Sequence, residues 1–188
     1  MRMRWLWMVL LLPLVAACAP PPTTAPVQDA AFAAQGIETI AVQPVVVRDW
    51  TPRSFCERDV ENRLRFHLTR TLEAKGYQVL RMEGVAPRYP GAADDSLTEE
   101  PAAVLAQAPA GADAVLRVWV DDYLSFGLCD AVRNPRLELE AVAVLYSVST
   151  RAEIWRNRAY VADFTSSDPV LYVTHELPRR LLLTLPDR

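Results

Sequence analysis

The sequence predicts a single α/β domain built on a mixed β-sheet, and three observations support this fold class. A β-branched strand, an amphipathic helix and a second strand follow one another between Ile37 and Leu80, which is the order of a βαβ unit. Three further strands between Asp113 and Asp163 predict an antiparallel meander. An apolar stripe at helical spacing after Pro169 then predicts a C-terminal helix that covers the sheet.

The βαβ unit has clear boundaries. Its first strand covers Ile37 to Val47, and Pro44 should end it or place it at an edge because proline cannot donate a ladder hydrogen bond. Ser54 and Glu57 have the spacing of a capping box, so a helix should begin there. Gly76 is typical of a helix end, and the second strand starts directly after it.

The remaining elements are predicted from the alternation of apolar and polar residues and from the positions of glycine and proline. Residues 83–99 hold two glycines and two prolines and predict a long loop, after which Thr98 could cap a short helix. Three strands come next, and Asp168 with Pro169 is a good start for the final helix. Pro178 lies inside that helix, so we expect a kink or two short helices.

The N-terminal residues resemble the signal peptide of a bacterial lipoprotein. Arg2 and Arg4 precede an apolar run from Trp5 to Ala17, and Cys18 follows small residues. The alternative is an uncleaved membrane helix, but thirteen residues rise only about 20 Å against a hydrocarbon core of about 30 Å, and prolines follow. The resemblance implies that Cys18 is lipidated and becomes the first residue of the mature protein.

These features divide the chain into three parts. Residues 1–17 are the signal peptide, residues 18–36 are the lipidated cysteine and a flexible tether rich in proline and alanine, and residues 37–188 are the α/β periplasmic domain. Phe32 is the one aromatic residue of the tether and could dock locally. Ala19 favours the outer membrane, so we expect a lipid-anchored protein on its periplasmic face.

Charge argues against nucleic acid as a partner. The chain carries 20 basic and 23 acidic residues, for a formal net charge of −3. The mature protein is more acidic still because Arg2 and Arg4 leave with the signal. No stretch concentrates basic side chains, as the binding of a phosphate backbone requires.

Two cysteines remain once Cys18 is lipidated. In an oxidising compartment the pair Cys56 and Cys129 favours a disulfide, and two buried thiols are the alternative. If they pair, the bond closes a long loop and stabilises the fold by about 4 kcal/mol in the chain-entropy model.

Four segments carry a resemblance to a known family. They read IAVQPV, TRTLEAKGYQVL, GADAVLRVWVDDY and AVAVLYSVSTRAEIWRNRA, and they span about Ile37 to Tyr160. In this order they resemble the bacterial lipoproteins classified as domain of unknown function 799. That family is similar in fold to the amino-terminal domain of TolB, to CsgG, and to transport-auxiliary and peptidoglycan-synthase-activating lipoproteins. The chain departs from the pattern in the cysteine pair and at residues 149–152, where the family has a glycine.

The fold suggests a use for the cysteine pair. If the strand that begins at Asp113 runs parallel to the first strand, Cys129 emerges at the same edge of the sheet as Cys56. A disulfide there would hold the hairpin loop against the helix.

Few residues are candidates for chemistry. His67 and His175 are the two histidines, and each is expected alone in a helix, in a structural role rather than as a metal ligand. Asp121 and Asp122 are adjacent in a strand, so they should point to opposite faces. The sequence has no phosphate-binding loop, nucleophile elbow or zinc spacing, and so predicts no enzyme, no metal and no cofactor.

Phe66 is the candidate partner contact. It is expected on the polar side of its helix, opposite Val60, Leu64 and Leu68, although single exposed aromatic residues are also common on ordinary surfaces. The favoured function is a non-catalytic adaptor or assembly component of a cell-envelope complex, which binds an envelope protein or itself. The alternative is a transport-auxiliary lipoprotein that binds a lipid or another apolar ligand between helix and sheet.

Overall fold

The computed structural model describes residues 27–28, 32–47, 55–82, 100–128 and 135–188. The signal peptide, Cys18, Ser54 and Cys129 lie outside this part of the chain, as does the segment 83–99. The side chains of Cys56 and Glu57 also lie outside it.

The described residues contain seven strands, three α-helices and one short 3-10 helix. The strands are β1 (Val27–Gln28), β2 (Thr39–Val42), β3 (Val46–Val47), β4 (Gln78–Arg81), β5 (Ala114–Phe126), β6 (Arg136–Ser147) and β7 (Glu153–Asp163). The helices are α1 (Phe55–Ala74), α2 (Pro101–Leu105) and α3 (Pro169–Leu181), and a short 3-10 helix covers Phe32–Gln35.

The strands form one mixed sheet, as the sequence predicts. Its order is β1-β7-β6-β5-β2-β4, and β3 extends the β2 position alongside β5. β2 pairs in parallel with both β4 and β5, so the βαβ unit is confirmed. β5, β6 and β7 pair in antiparallel fashion, which confirms the meander.

Pro44 interrupts the first strand without ending it. The strand leaves the sheet after Val42 and returns at Val46, which lies opposite Trp119 of β5. Between them the backbone N–H of Gln43 donates to the carbonyl of Leu116. Because proline has no N–H, the hydrogen-bond ladder has a short gap at this point, but the strand continues beyond it.

Helices α1 and α3 cover one face of the sheet. The predicted stripe of α1 is buried there with the inward side chains of β5, β6 and β7. The predicted members are Val60, Leu64, Leu68, Thr71 and Leu72, of which all but the partly buried Thr71 are buried.

The opposite face is covered over only part of its length. α2 lies over the first half of β5, where Val104 packs against Trp119 and Tyr146. Arg117 is also buried here, and its guanidinium donates to the side chain of Gln43 at 2.9 Å. Beyond a bulge between Val120 and Asp122, this face of the sheet is exposed.

The start of α3 follows the prediction and its interior departs from it. The carboxylate of Asp168 accepts a hydrogen bond from the N–H of Leu171 at 2.9 Å, and Pro169 occupies the first turn. The helix continues through Pro178 as one element to Leu181, so a division into two short helices is not found. The missing N–H of Pro178 costs the helix one hydrogen bond, and three more residues follow in helical conformation.

Part of the segment assigned to the tether packs on the domain. Val27–Gln28 pairs with β7, and Phe32 is only 5% exposed in the core beside Ile37. The expected local docking of Phe32 is thus confirmed. Among the helices of the described ranges, none has the length and apolar composition needed to cross a bilayer.

The turn of the β6–β7 hairpin contains a non-glycine residue with a positive φ. Arg151 adopts a φ of 55°, in the left-handed region that favours glycine. Arg151 therefore adopts this turn conformation at a conformational cost that a glycine would not pay.

Candidate functional site

Helices α1 and α3 lie side by side and run in the same direction. Near their ends, the ammonium of Lys75 donates to the carbonyl of Leu185 at 2.8 Å. Midway along them, the ring of His67 meets the ring of His175 with centroids 5.2 Å apart and planes at 89°. Each helix carries one histidine, as expected, but the sequence analysis did not predict that the two rings meet. The packing of two distant helices brings the rings together, and neither helix shows this in its own pattern.

Phe66 extends this contact into a row of three rings. Its centroid lies 5.2 Å from that of His67, edge to face, and the guanidinium of Arg70 lies 6.0 Å from the Phe66 ring. The Phe66 side chain is 49% exposed, which confirms its place on the outer side of the helix. The edge-to-face geometry is the one that aromatic quadrupoles favour.

Two further apolar side chains widen the exposed surface. Leu171 and Tyr172 precede His175 by four and three residues, so they lie beside it on the outer face of α3. They are 50% and 47% exposed. We define the helix-face patch as the surface formed by Phe66, His67, Leu171, Tyr172 and His175.

Charged side chains of both signs border the helix-face patch. Burial lowers the pKa of His67, and the neighbouring His175 and Arg63 lower it further. Arg70 pairs with Glu73 at 3.2 Å, and Arg179 pairs with Glu176 at 3.2 Å. These pairs are exposed and contribute little to stability.

A second exposed surface lies on the opposite side of the domain. In β5 the side chains of Tyr123 and Ser125 lie opposite the core residues Leu139 and Leu137, so the residues between them project away from α1 and α3. We define the sheet-face patch as the outward residues of this part of the sheet. They are Asp122, Leu124, Phe126, Arg136, Glu138, Glu140, Arg158, Tyr160 and Phe164.

The outer end of the sheet-face patch is aromatic. Phe126 is 60% exposed and lies opposite Arg136 of β6. The guanidinium of Arg136 lies 5.8 Å from the ring centroid of Phe164. An arginine therefore stands between two exposed aromatic side chains, which is a common composition of protein contact surfaces.

The inner part of the sheet-face patch is acidic. Arg158 donates to Glu140 at 2.9 Å and lies 3.4 Å from Asp121. The hydroxyl of Tyr160 donates to Glu138 at 2.8 Å. Burial, this hydrogen bond and nearby carboxylates raise the pKa of Tyr160 to about 12.

The bulge changes the expected placement of the two adjacent aspartates. Strand alternation puts Asp121 and Asp122 on opposite faces, but the bulge directs the Asp121 carboxylate toward Arg158. Arg158 also forms an ion pair with Glu140, which lies opposite Asp122 on the neighbouring strand. Both aspartates therefore contribute negative charge near the same face, which simple alternation cannot predict.

The other predicted site residues have different outcomes. Cys18 and Cys129 lie outside the described residues, as does the side chain of Cys56, so the lipidation and the disulfide stay predictions. Within the ranges that the structure covers, no three His, Cys, Asp or Glu side chains are grouped to hold a metal ion. The sheet-face patch was missed by the sequence analysis, although Asp122, Leu124 and Phe126 alternate as a half-exposed strand does.

Known proteins support the fold and go no further. No family model matches the chain, so the membership predicted from its motifs is not shown, and no curated protein matches it either. Among solved structures, the chain is similar to a PelC dodecamer from Paraburkholderia phytofirmans, with 19% identity and a TM-score of 0.56. The match covers 87% of this chain and 96% of that one.

A second similar structure is the lipoprotein GNA1162 from Neisseria meningitidis. It is 19% identical with a TM-score of 0.45, and the match covers 72% of this chain and 91% of that one. At 19% identity the likeness to the PelC structure concerns the fold, a single α/β domain with a mixed sheet and a C-terminal helix.

Proposed function

We propose that this protein is a lipid-anchored, non-catalytic assembly component of a cell-envelope complex, and that it associates with further copies of itself. The observation that carries the proposal is the helix-face patch, where Phe66, Leu171 and Tyr172 are each about half exposed within one surface. Exposed apolar side chains that cluster in this way are typical of protein contact sites. Aromatic residues are also enriched at such sites.

The similar PelC structure supports self-association as the form of assembly. That protein is a dodecamer and shares the fold over most of this chain. An envelope protein other than a second copy is the remaining kind of partner, and it would use the same patch.

The anchor and its location belong to the same proposal. The signal-like N-terminus with Cys18 supports lipidation, and Ala19 supports the outer membrane, where the domain would face the periplasm. A disulfide between Cys56 and Cys129 would suit that oxidising compartment.

The alternative of a transport auxiliary finds less support. It needs room for an apolar ligand between the helices and the sheet. In the described part of the chain this layer is filled by buried side chains such as Leu68, Leu145 and Leu177, all close to fully buried.

The test is the mass of the full lipidated protein, purified in mild detergent from its own membranes. We expect an oligomer, with each chain carrying the added mass of lipid. Phe66→Ala should shift it to monomer, because a half-exposed aromatic ring of the contact is lost. Leu183→Ala is the matched control, since Leu183 is 74% exposed but outside the patch, and it should leave the oligomer intact.

Two results would contradict the proposal. A wild-type protein that is monomeric and free of other envelope proteins, even after crosslinking in intact cells, would exclude an assembly role. An oligomer that is unchanged by Phe66→Ala would place the contact elsewhere.

A further inference from the structure

We infer that one end of the sheet, where β5 and β7 finish and β6 begins, rests against the surface of the bilayer in which Cys18 is anchored. We define the sheet tip as the side chains of Leu124, Phe126, Arg136 and Phe164. The inference rests on the proposed lipid anchor and adds an orientation of the domain on the membrane. The direction of β1, the length of the tether and the order of side chains along the sheet support it.

β1 determines the side from which the chain enters the domain. It pairs antiparallel with β7, with Val27 opposite Arg156 and Gln28 opposite Trp155. β7 runs toward the sheet tip, because β7 and β5 are both antiparallel to β6 and β5 ends at Phe126. β1 therefore runs away from the tip, and the chain enters it from the side of the tip.

The tether is too short to hold the sheet tip far from the bilayer. Eight residues, 19–26, separate Cys18 from Val27, and a chain of this length spans at most about 30 Å. Arg156, the partner of Val27, precedes Phe164 by eight residues, which is about 27 Å along a strand. With the tip toward the membrane, the length of β7 uses nearly the whole reach of the tether, so the tip lies close to the lipid headgroups.

The first row of side chains at the sheet tip is apolar and basic. Phe126 lies opposite Arg136, and the guanidinium of Arg136 lies 5.8 Å from the ring centroid of Phe164. The two phenylalanines are 60% and 43% exposed. Apolar rings enter the boundary between headgroups and acyl chains, while an arginine beside them can keep its guanidinium at the lipid phosphates. The row therefore has the composition of an interfacial membrane contact.

Among the outward side chains of the described strands, carboxylates begin behind this row. The exposed Leu124 lies opposite Glu138 in the second row, and Asp122 lies opposite Glu140 in the third. Rows on one face are two residues apart, so these rows lie about 7 and 14 Å behind the first. With only the tip against the bilayer, the carboxylates stay in water. A bilayer that covered the whole face would have to bury them, which is costly.

Two aspartates near the sheet tip have partners within the domain. Asp163 is 7% exposed, and its carboxylate accepts hydrogen bonds from the N–H groups of Thr165 and Ser166 at 2.9 and 3.1 Å. Asp168 is exposed at the start of α3, on the other face of the sheet, where it accepts from the N–H of Leu171. Neither carboxylate belongs to the outward row of the tip.

The opposite end of the domain is less suited to a membrane contact. There Lys75 pairs with Asp187, and Arg188 pairs with Glu38. The Asp187 and Glu38 side chains are 77% and 55% exposed, so a bilayer at this end would remove charged groups from water. The chain would also have to reverse its direction between Cys18 and β1.

The test measures whether an added tryptophan reaches the acyl chains of a bilayer. Phe126→Trp places an indole at the sheet tip. Leu183→Trp is the matched control, because Leu183 is 74% exposed and follows α3 at the opposite end. Each full-length lipidated protein is reconstituted into phosphatidylethanolamine and phosphatidylglycerol vesicles, with or without bromine on the acyl chains. Bromine quenches an indole in contact with it, and the wild-type emission is subtracted.

Bromination should remove about half or more of the added emission in Phe126→Trp, because indole rings settle at the headgroup boundary. Phe164→Trp is a second probe of the same row and should behave alike, and Leu183→Trp should be unaffected. Adding Arg136→Glu to Phe126→Trp should reduce the quenching by about twofold or more, since anionic lipid repels a carboxylate. Arg179→Glu, an exposed charge reversal on α3, should leave the quenching unchanged.

Several results would overturn the inference. If the protein carries lipid and floats with the vesicles but neither tip probe is quenched, the tip does not meet the bilayer, while the anchor and the assembly role stand. A tip probe whose emission is blue-shifted but unquenched is covered by protein, which overturns the inference as well. Equal quenching of Leu183→Trp would mean that the domain has no preferred orientation. A protein without lipid mass that does not float would overturn both the proposed anchor and this inference.

Discussion

At the scale of single residues, His67 should make the stability of the domain depend on pH. Its pKa is lowered in the folded protein by burial, by His175 and by Arg63. In the unfolded chain, His67 therefore binds a proton near the ordinary histidine pKa of about 6.5. In the folded protein, His67 is protonated only at a lower pH. The contribution of His67 to the free energy of unfolding should be fully present above about pH 6.5. It should decrease as the pH falls from there and level off below the pKa of His67 in the folded protein.

Urea unfolding between pH 5 and pH 8 measures this effect. His67→Gln should flatten the slope below pH 7, because glutamine does not titrate. His175→Gln removes one cause of the shift, so the pKa of His67 measured by NMR should rise in that variant. A His67 that titrates above 6.5 in the folded wild type would contradict the prediction.

At the scale of elements, the sequence predicted those features that depend on interactions between residues close together in the chain. The stripe of α1 and the cap and proline of α3 are local signals, and both helices begin where these signals lie. Pro44 is also a local signal, but the gap it causes is bridged because β5 offers partners on both sides of it. Burial of Arg117 could not be predicted, since it depends on α2 lying over that face of the sheet.

The cap of α3 gives a prediction at this scale. Asp168→Ala removes the acceptor for the Leu171 N–H and should lower the free energy of unfolding by about 1 kcal/mol. Asp168→Asn keeps an acceptor oxygen and should lose much less. Equal losses in the two variants, measured by urea unfolding at pH 7, would show that charge rather than capping is responsible.

At the scale of the whole molecule, the candidate site was only partly predictable. Phe66 could be placed outside because its own helix fixes its direction. The His67 and His175 contact, and the union of Leu171 and Tyr172 with Phe66, depend on how two helices about 100 residues apart pack on one sheet. No local pattern carries that information. The sheet-face patch likewise depends on how much of the sheet α2 covers, and this is determined by the complete fold.

The C-terminal residues connect distant parts of the whole domain. The carbonyl of Pro186 accepts a hydrogen bond from the hydroxyl of Tyr77 at 2.8 Å, and Asp187 pairs with Lys75 at 2.7 Å. The N–H of Arg188 donates to the carbonyl of Lys75 at 2.9 Å, and its guanidinium pairs with Glu38. These residues thus join the end of the chain to the end of α1 and to the approach to β2.

Deletion of residues 186–188 should therefore destabilise the domain as a unit, by about 2 kcal/mol, since several net hydrogen bonds of about 1 kcal/mol each are lost together. Asp187→Asn is the matched control and should cost much less, because Asp187 is mostly exposed and such pairs contribute about 0–1 kcal/mol. Urea unfolding followed by tryptophan fluorescence and by circular dichroism measures both, and the two signals should shift together in the deletion variant.

A deletion that leaves the midpoint unchanged would mean that the C-terminal contacts are made without contributing to stability. Separate shifts of the two signals would mean that they support only the end of α1 and not the sheet.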